Sequence, residues 1–202
     1  PTCMDDWERL KRQFAPTQKR AEERKSQSLN TLSPQQKKSA VALAWNVQAM
    51  CDHYGIERIG FLTLTFAEHI TDAKESQRRY NSLRSGVLCD QYPAIIRVLE
   101  RQKSGRIHYH LLVVLDADIR TGFDFQAAKQ RDYRSACPEL KQQWSFWRKT
   151  AKQYGFGRVE LLPIKSSKEA IARYVGKYIS KHISQRLQED RGLRLVEYSG
   201  KG

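Results

Sequence analysis

The sequence predicts an α+β fold, in which an antiparallel sheet of about four to five strands carries helices on one face. Runs rich in β-forming residues alternate with segments of helical spacing along the chain. Two of these runs flank the turn signal Gln102-Lys103-Ser104-Gly105, which predicts an antiparallel hairpin. With 202 residues, of which 40% are hydrophobic, the chain is long enough for one domain with additional length.

The first 55 residues are interpreted as an N-terminal helical extension. Residues 4–27 are dense in charge, and a break at residues 29–34 precedes a predicted helix over residues 35–54 that Gly55 ends. The residues at helical spacing, which we expect on its buried side, are Val41, Ala44, Trp45, Gln48 and Cys51.

The central part of the chain, residues 56–187, contains the predicted sheet. A strand at 61–66 is followed by a helix that begins at Thr71 or Asp72 and runs to about residue 89. The hairpin strands are 94–101 and 106–115, and the second is expected at the centre of the sheet because residues 111–115 are apolar on both faces.

The later elements complete the pattern. Residues 116–137 are predicted to be a long loop, and residues 138–154 a helix with Trp147 in the core. A strand at 158–164 precedes a helix that Ser166 and Glu169 open with a capping box.

This order predicts a ferredoxin-like, split βαβ sheet, with the last helix crossing the opposite face. Residues 188–202 are expected to be a tail or linker with at most a short strand at 193–198.

The chain is strongly basic. Its 36 Lys and Arg residues exceed 22 acidic residues, giving a net charge of +14, which favours nucleic acid as a partner. No run of apolar residues reaches membrane-spanning length, and the first thirty residues are too charged for a secretory signal, so we expect a soluble, cytoplasmic protein with no membrane partner. The four cysteines form no CxxC pair, which is typical of neither a zinc knuckle nor a disulfide scaffold.

Two histidines in the second hairpin strand are candidate metal ligands. Alternation along a strand places His108 and His110 on one face of the sheet. A three-residue turn at 103–105 would pair Glu100 with His108, whereas a two-residue turn would shift the register by one and direct Glu100 away.

Two imidazoles and a carboxylate suit a divalent ion. The alternative is that both histidines have ordinary hydrogen-bonding roles in the sheet. Zinc is chemically possible, but neither HExxH nor a third histidine accompanies the pair, and Mg²⁺ or Mn²⁺ is expected if phosphate is the substrate.

A second candidate site lies on the last helix. A four-residue step places Tyr174 and Tyr178 on the same side, with Lys177 and Lys181 three residues after each. Cationic neighbours and a metal assist a phenol, whose pKa is about 10, in attacking a phosphodiester. The alternative is an amphipathic helix whose tyrosines only pack against the sheet.

In order and spacing, three segments resemble the motifs of HUH endonucleases that initiate rolling-circle replication. They are residues 61–66, Glu100 with the run from Gly105 to His110, and the run from Tyr174 to Lys181. The YxxKYxxK form resembles the two-tyrosine subgroup of single-stranded DNA phages and related plasmids. Tyr109 occupies the position that usually holds a bulky hydrophobic residue.

The resemblance implies that His108, His110 and Glu100 bind the metal. It implies that Tyr174 or Tyr178 attacks the scissile phosphate, leaving a 5′-phosphotyrosine and a free 3′-hydroxyl, while Lys177 and Lys181 neutralise phosphate charge. The bond energy is retained, so no small-molecule cofactor is expected. The implied partners are single-stranded DNA or an origin hairpin, together with a host helicase and polymerase.

A cleaved single strand also needs a basic groove that follows its backbone. The candidate DNA-binding residues are Arg97, Arg101, Lys103 and Arg106 near the hairpin, with Lys165 and Lys168 near the tyrosine helix.

Three alternatives remain at this point. A relaxase would carry its tyrosine ahead of the histidines, and an HUH transposase is usually shorter with one tyrosine. From another class, a non-catalytic RRM-like nucleic-acid-binding protein would have the same topology but aromatic residues on its central strands.

Overall fold

The computed structural model describes residues 33–182 and 194–200, with side chains for residues 33–174 and 194–200. Its sheet has the strand order β4-β1-β3-β2-β5, and all neighbouring strands are antiparallel. The strands are β1 (Ile59–Phe66), β2 (Ala94–Arg101), β3 (Ile107–Val114), β4 (Phe156–Pro163) and β5 (Val196–Gly200). The first four strands have the split βαβ arrangement, so the predicted fold is confirmed.

Helices connect the strands at the expected places. They are α1 (Pro34–Tyr54), α2 (Ala73–Leu83), α3 (Phe125–Lys129), α4 (Pro138–Thr150) and α5 (Ser167–His182). Ser33 begins α1 with a capping box, and the Asp72 carboxylate begins α2 by accepting a hydrogen bond from the Glu75 amide. A π-helical turn, Arg84–Leu88, extends α2 towards residue 91.

The sheet has a hydrophobic core on each face. Leu62, Leu64, Tyr109 and the predicted core residue Trp147 belong to the core beneath α2 and α4. Leu112 and Val114, which alternate with those positions, belong to the second core with side chains from α1 and α5. The tyrosine-bearing helix therefore covers the face of the sheet that carries the even-numbered residues of β3.

Helix α1 is part of this second core, although residues 34–54 were assigned to an extension from the sequence. The predicted buried stripe is wrong at Trp45, which is 54% exposed, and Gln48 is only half-buried. The buried side is rotated towards Ala40 and Leu43, whose side chains pack in the second core. Residues 1–32 lie outside the described part of the chain.

Two segments have more structure than their composition indicated. Within residues 116–137, α3 forms a short helix whose start is capped by the Asp124 carboxylate, and Phe123 is buried. In the tail, β5 begins three residues after the start of the strand expected at 193–198, and it pairs with β2.

None of the described helices combines the length and the apolar composition needed to cross a membrane. Cys51, Cys89 and Cys137 are free thiols, and Cys3 lies outside the described residues.

Candidate active site

The hairpin between β2 and β3 has a three-residue turn. The amide of Gln102 donates to the carbonyl of Arg106 at 2.8 Å, and the amide of Gly105 donates to the Gln102 carbonyl at 2.9 Å. Gly105 has a φ of 83°, a conformation that glycine adopts without a steric penalty. The resulting register pairs Glu100 with His108, as expected for this turn length.

Both histidines are oriented by threonines of β1, which pairs with β3. His108 Nδ1 shares a hydrogen bond of 3.0 Å with Thr65 Oγ1, and His110 Nδ1 shares one of 3.1 Å with Thr63 Oγ1. The alternation of Thr63 and Thr65 along β1 places both hydroxyls on the histidine face. That alternation was visible in the sequence, but the partner of each threonine depends on the β1–β3 register.

The Nε2 atom of His110 contacts the Oε2 atom of Glu100, which brings the carboxylate to the histidine face. His108 and His110 are 8% and 6% exposed, so the group sits at the edge of the core rather than in bulk water. The three side chains predicted as metal ligands therefore share one face of one hairpin.

The residue types of this group fit a divalent cation, because they supply two imidazole nitrogens and a carboxylate. Across residues 33–174 and 194–200, however, no three His, Cys, Asp or Glu side chains already have an arrangement that would hold an ion.

Tyr174 lies close to this group. Its ring is fully buried and makes an edge contact with Phe61 at 5.5 Å between centroids, while Phe61 lies 5.6 Å from the ring of His110. Burial raises the pKa of the Tyr174 phenol well above its ordinary value. Its hydroxyl has no hydrogen-bond partner among the described residues. Phe61, which connects tyrosine and histidine, was not identified as a site residue from the sequence.

The second tyrosine belongs to the same helix. Tyr178 is one turn after Tyr174 in α5, with Lys177 and Lys181 nearby along the chain. The side chains of these three residues lie outside the described part. Helix α5 begins where Ser166 Oγ accepts a hydrogen bond from the Glu169 amide at 3.0 Å, as the capping pattern predicted.

Two of the arginines predicted as DNA contacts are buried in the fold. Arg97 is fully buried on the opposite face of the sheet, where it forms an ion pair with Glu197 at 2.9 Å. Arg101 is also buried, and its guanidinium donates to the carbonyls of Thr71 and Gly105. Their burial was not predictable, because a charge pattern does not show which cations hold the fold together.

The other predicted contacts are more accessible. Arg106 is half-buried and donates to the Phe66 carbonyl, so its guanidinium partly serves the hairpin. Lys103, Lys165 and Lys168 are exposed.

A family model of replication-associated proteins of the ORF2 type matches residues 59–183. A protein of Escherichia coli called "Phasyl DNA replicon protein arp" is 61% identical over 170 residues. The match covers 84% of this chain and 60% of that protein, so the chain spans about three fifths of the relative's length. No solved structure matches the chain. Since the family model covers more than half of the residues, including every strand from β1 to β4, the chain belongs to this family of replication-associated proteins.

Proposed function

We propose that this domain is a replication initiator, a site-specific, metal-dependent endonuclease and strand transferase of the two-tyrosine HUH type that acts on single-stranded DNA. The observation that carries the proposal is the hairpin register that places Glu100, His108 and His110 on one face, beside the helix of Tyr174 and Tyr178. Membership in a family of replication-associated proteins supports a role at a replication origin.

The histidine face would hold the metal. His108, His110 and Glu100 would bind Mg²⁺ or Mn²⁺, which supplies charge neutralisation at the scissile phosphate. Thr63 and Thr65 keep both imidazoles in place through their Nδ1 atoms, so each Nε2 atom is directed to the opposite side of its ring.

A tyrosine then acts as the nucleophile. The phenolic oxygen of Tyr174 or Tyr178 forms a bond to the phosphorus, and the bond from phosphorus to the 3′ oxygen breaks. The phenol loses its proton as it attacks, the leaving oxygen takes up a proton to become a 3′-hydroxyl, and the 5′ end remains as a phosphotyrosine. Lys177 and Lys181 contribute positive charge next to the phosphate.

The second tyrosine permits a second transfer. While one tyrosine holds the 5′ end, the other can cleave the site regenerated by synthesis, and the 3′-hydroxyl can then reseal the circle. The energy of the broken bond stays in the phosphotyrosine, so these steps need no nucleotide cofactor. Helicase and polymerase of the host are the expected partners.

The direct test uses the chain, Mn²⁺ and single-stranded DNA from the origin region of its replicon, analysed on a denaturing gel for a cleaved strand and a covalent adduct. We expect His108→Ala to abolish cleavage while DNA binding is retained, because it removes one of two imidazole ligands. His53→Ala is the matched control, since His53 is exposed near the end of α1, and it should cleave as the unchanged protein does.

The nucleophile is tested in the same assay. Tyr174→Phe and Tyr178→Phe should each retain some nicking, and the double variant should form no adduct. An adduct in the double variant would show that another residue attacks the phosphate. If the unchanged protein binds origin strands but cleaves none, the protein is a non-catalytic nucleic-acid binder and the proposal is wrong.

A further inference from the structure

A groove runs along the outer edge of β4, the edge strand of the sheet beside β1. It consists of two adjoining cavities of about 420 and 400 Å³. Tyr133, Arg158, Glu160 and Leu162 line both cavities, which makes them two parts of one groove. Its opposite wall comes from α4 and from the insertion at 116–137, the segment predicted to be an irregular loop.

The groove carries a surplus of positive charge. Seven Lys or Arg side chains and two glutamates line it. Glu169 forms an ion pair with Arg173 at 3.0 Å, and Glu160 lies 3.8 Å from Arg158. The two carboxylates balance two of the seven positive charges, which leaves a net charge of +5 along the groove. An anionic chain is therefore the complementary occupant.

Aromatic rings accompany these charges. Tyr133 is half-buried and makes an edge contact with Trp144 at 5.4 Å, and both rings line the groove. At its inner end Phe61 lines the second cavity, and the Arg173 guanidinium lies 5.4 Å from the centre of that ring. Interleaved aromatic rings and cations are the features that bind the bases and phosphates of single strands.

The second cavity meets the candidate active site at Phe61. Phe61, which lines the groove, also contacts the rings of His110 and Tyr174. Phe61 lies on the face of the sheet that carries the histidines, so the groove and the candidate active site share this side chain.

Arg131 at the groove has a strained backbone. Its φ of 63° makes it the one non-glycine residue with positive φ among the described residues. Such a conformation costs about 1 to 2 kcal/mol for a residue with a Cβ atom, and asparagine and glycine tolerate it better. The side chain is exposed, so the strained position presents an arginine to solvent at the rim of the groove.

We propose that this groove binds single-stranded DNA next to the cleavage site, with Lys129 and Arg131 contacting phosphates and Tyr133 contacting a base. The placement beside a cleavage site rests on the proposed function, whereas the binding itself does not. Strand β4 has 8 residues and is therefore about 26 Å long, which suits a segment of roughly four nucleotides.

The test measures binding without metal, so that cleavage plays no part. Fluorescence anisotropy of a labelled oligonucleotide of about 12 thymidines is recorded in EDTA at several salt concentrations. Lys129→Gln combined with Arg131→Asn should weaken binding about tenfold or more at about 0.1 M salt, and reduce the slope of log K against log salt by about 1.4. Asparagine is chosen because it removes the charge and accepts the backbone conformation at residue 131.

Matched variants separate the groove from overall charge. Lys38→Gln with Lys74→Gln removes the same charge from exposed positions of α1 and α2, and it should change the affinity less than twofold. Arg131→Lys keeps the charge and should bind as the unchanged protein does. If both double variants lose affinity equally, or if the groove variant loses none, the groove is not the binding site.

Thermal unfolding followed by circular dichroism shows whether each variant folds. Competition between the labelled strand and other polyanions identifies the occupant of the groove. Should the double variant fail to fold, Arg131→Asn alone is expected to weaken binding about threefold or more and to lower the slope by about 0.7. The proposal is wrong if polyglutamate or duplex DNA displaces the labelled strand to the same extent as unlabelled single-stranded DNA. Groove-dependent binding without any cleavage would contradict the proposed endonuclease alone, whereas cleavage with groove-independent binding would contradict the groove alone.

Discussion

At the scale of single residues, two threonines orient the two histidines of the candidate site through hydrogen bonds. When a metal binds Nε2 of an imidazole, Nδ1 carries the proton and needs an acceptor. Thr63 and Thr65 supply oxygen atoms at 3.1 and 3.0 Å from the two Nδ1 atoms. The two threonines are therefore expected to affect metal binding although neither is a ligand.

We expect Thr65→Val to lower the affinity for Mn²⁺ about tenfold or more, since valine keeps the shape of the side chain and removes the oxygen. The measurement is the Mn²⁺ concentration at half-maximal binding, followed by electron paramagnetic resonance of the free ion. Thr150→Val, at the end of α4, is the control and should leave the affinity unchanged. Equal Mn²⁺ affinity in both variants would show that Thr65 does not support the site.

The buried hydroxyl of Tyr174 gives a second prediction at this scale. The Tyr174 hydroxyl is buried and has no hydrogen-bond partner among the side chains that the structure describes, so Tyr174→Phe should raise the free energy of unfolding by about 1 kcal/mol in urea denaturation. Tyr109→Phe is the matched control, because the Tyr109 hydroxyl shares a 3.1 Å hydrogen bond with Ser76 and its loss should destabilise the fold. The prediction is wrong if both variants are destabilised alike.

The same burial bears on the order of attack. Burial raises the pKa of the Tyr174 phenol and shields its oxygen from solvent, so proton removal and attack are less favourable there than for an exposed phenol. We therefore expect Tyr178→Phe to slow the first cleavage more than Tyr174→Phe does, measured as the initial rate of adduct formation. The reverse order of rates would mean that Tyr174 leaves its buried position before the reaction.

At the scale of elements, β5 is attached to the sheet through an ion pair as well as backbone hydrogen bonds. The Arg97 guanidinium on β2 lies 2.9 Å from Glu197 on β5 and 4.7 Å from the centre of the Tyr80 ring. Because Arg97 is fully buried, removal of its carboxylate partner would leave a charge in the core without compensation.

Glu197→Ala should therefore reduce the free energy of unfolding by about 3 kcal/mol, as measured by urea denaturation. Glu160→Ala on β4 is the control: its partner Arg158 is exposed and 3.8 Å away, so the loss should stay below about 1 kcal/mol. Adding Arg97→Met to Glu197→Ala should restore part of the stability. Equal losses in the two single variants would show that the buried pair does not anchor β5.

At the scale of the whole molecule, both faces of the sheet bury phenols. Burial raises the pKa of Tyr109 to about 12, and it raises the pKa values of Tyr80, Tyr92 and Tyr174 as well. In the unfolded chain these groups ionise near their ordinary pKa of about 10. Their contribution to stability is thus fully present below pH 10 and is lost as the pH rises through the folded-state values.

We expect the free energy of unfolding to fall by about 1 kcal/mol for each buried phenol between pH 10 and pH 11. The measurement is the urea midpoint at pH 8, 10 and 11, together with the absorbance of tyrosinate in the folded protein. A midpoint that stays constant up to pH 11 would contradict the burial of these side chains.

Much of the fold was predictable because hydrophobic periodicity and turn residues act locally. The strand at 94–101, the helix start near Asp72 and the burial of Trp147 all follow from patterns within about twenty residues. The buried side of α1 was not predictable, because it depends on which face of the sheet and which partner helix it meets. The same limit applies to the buried Arg97, whose partner Glu197 lies 100 residues away.

By itself, the sequence determined the identity of the chemical groups and their local spacing. The pair His108 and His110, the turn at 103–105 and the four-residue step between Tyr174 and Tyr178 are properties of short segments. Only the tertiary structure decided that Glu100 meets the histidines, that Thr63 and Thr65 orient them, and that Tyr174 is buried against Phe61. The physical reason is that strand registers and helix packing are set by burial of the whole core, to which residues far apart in the chain contribute together.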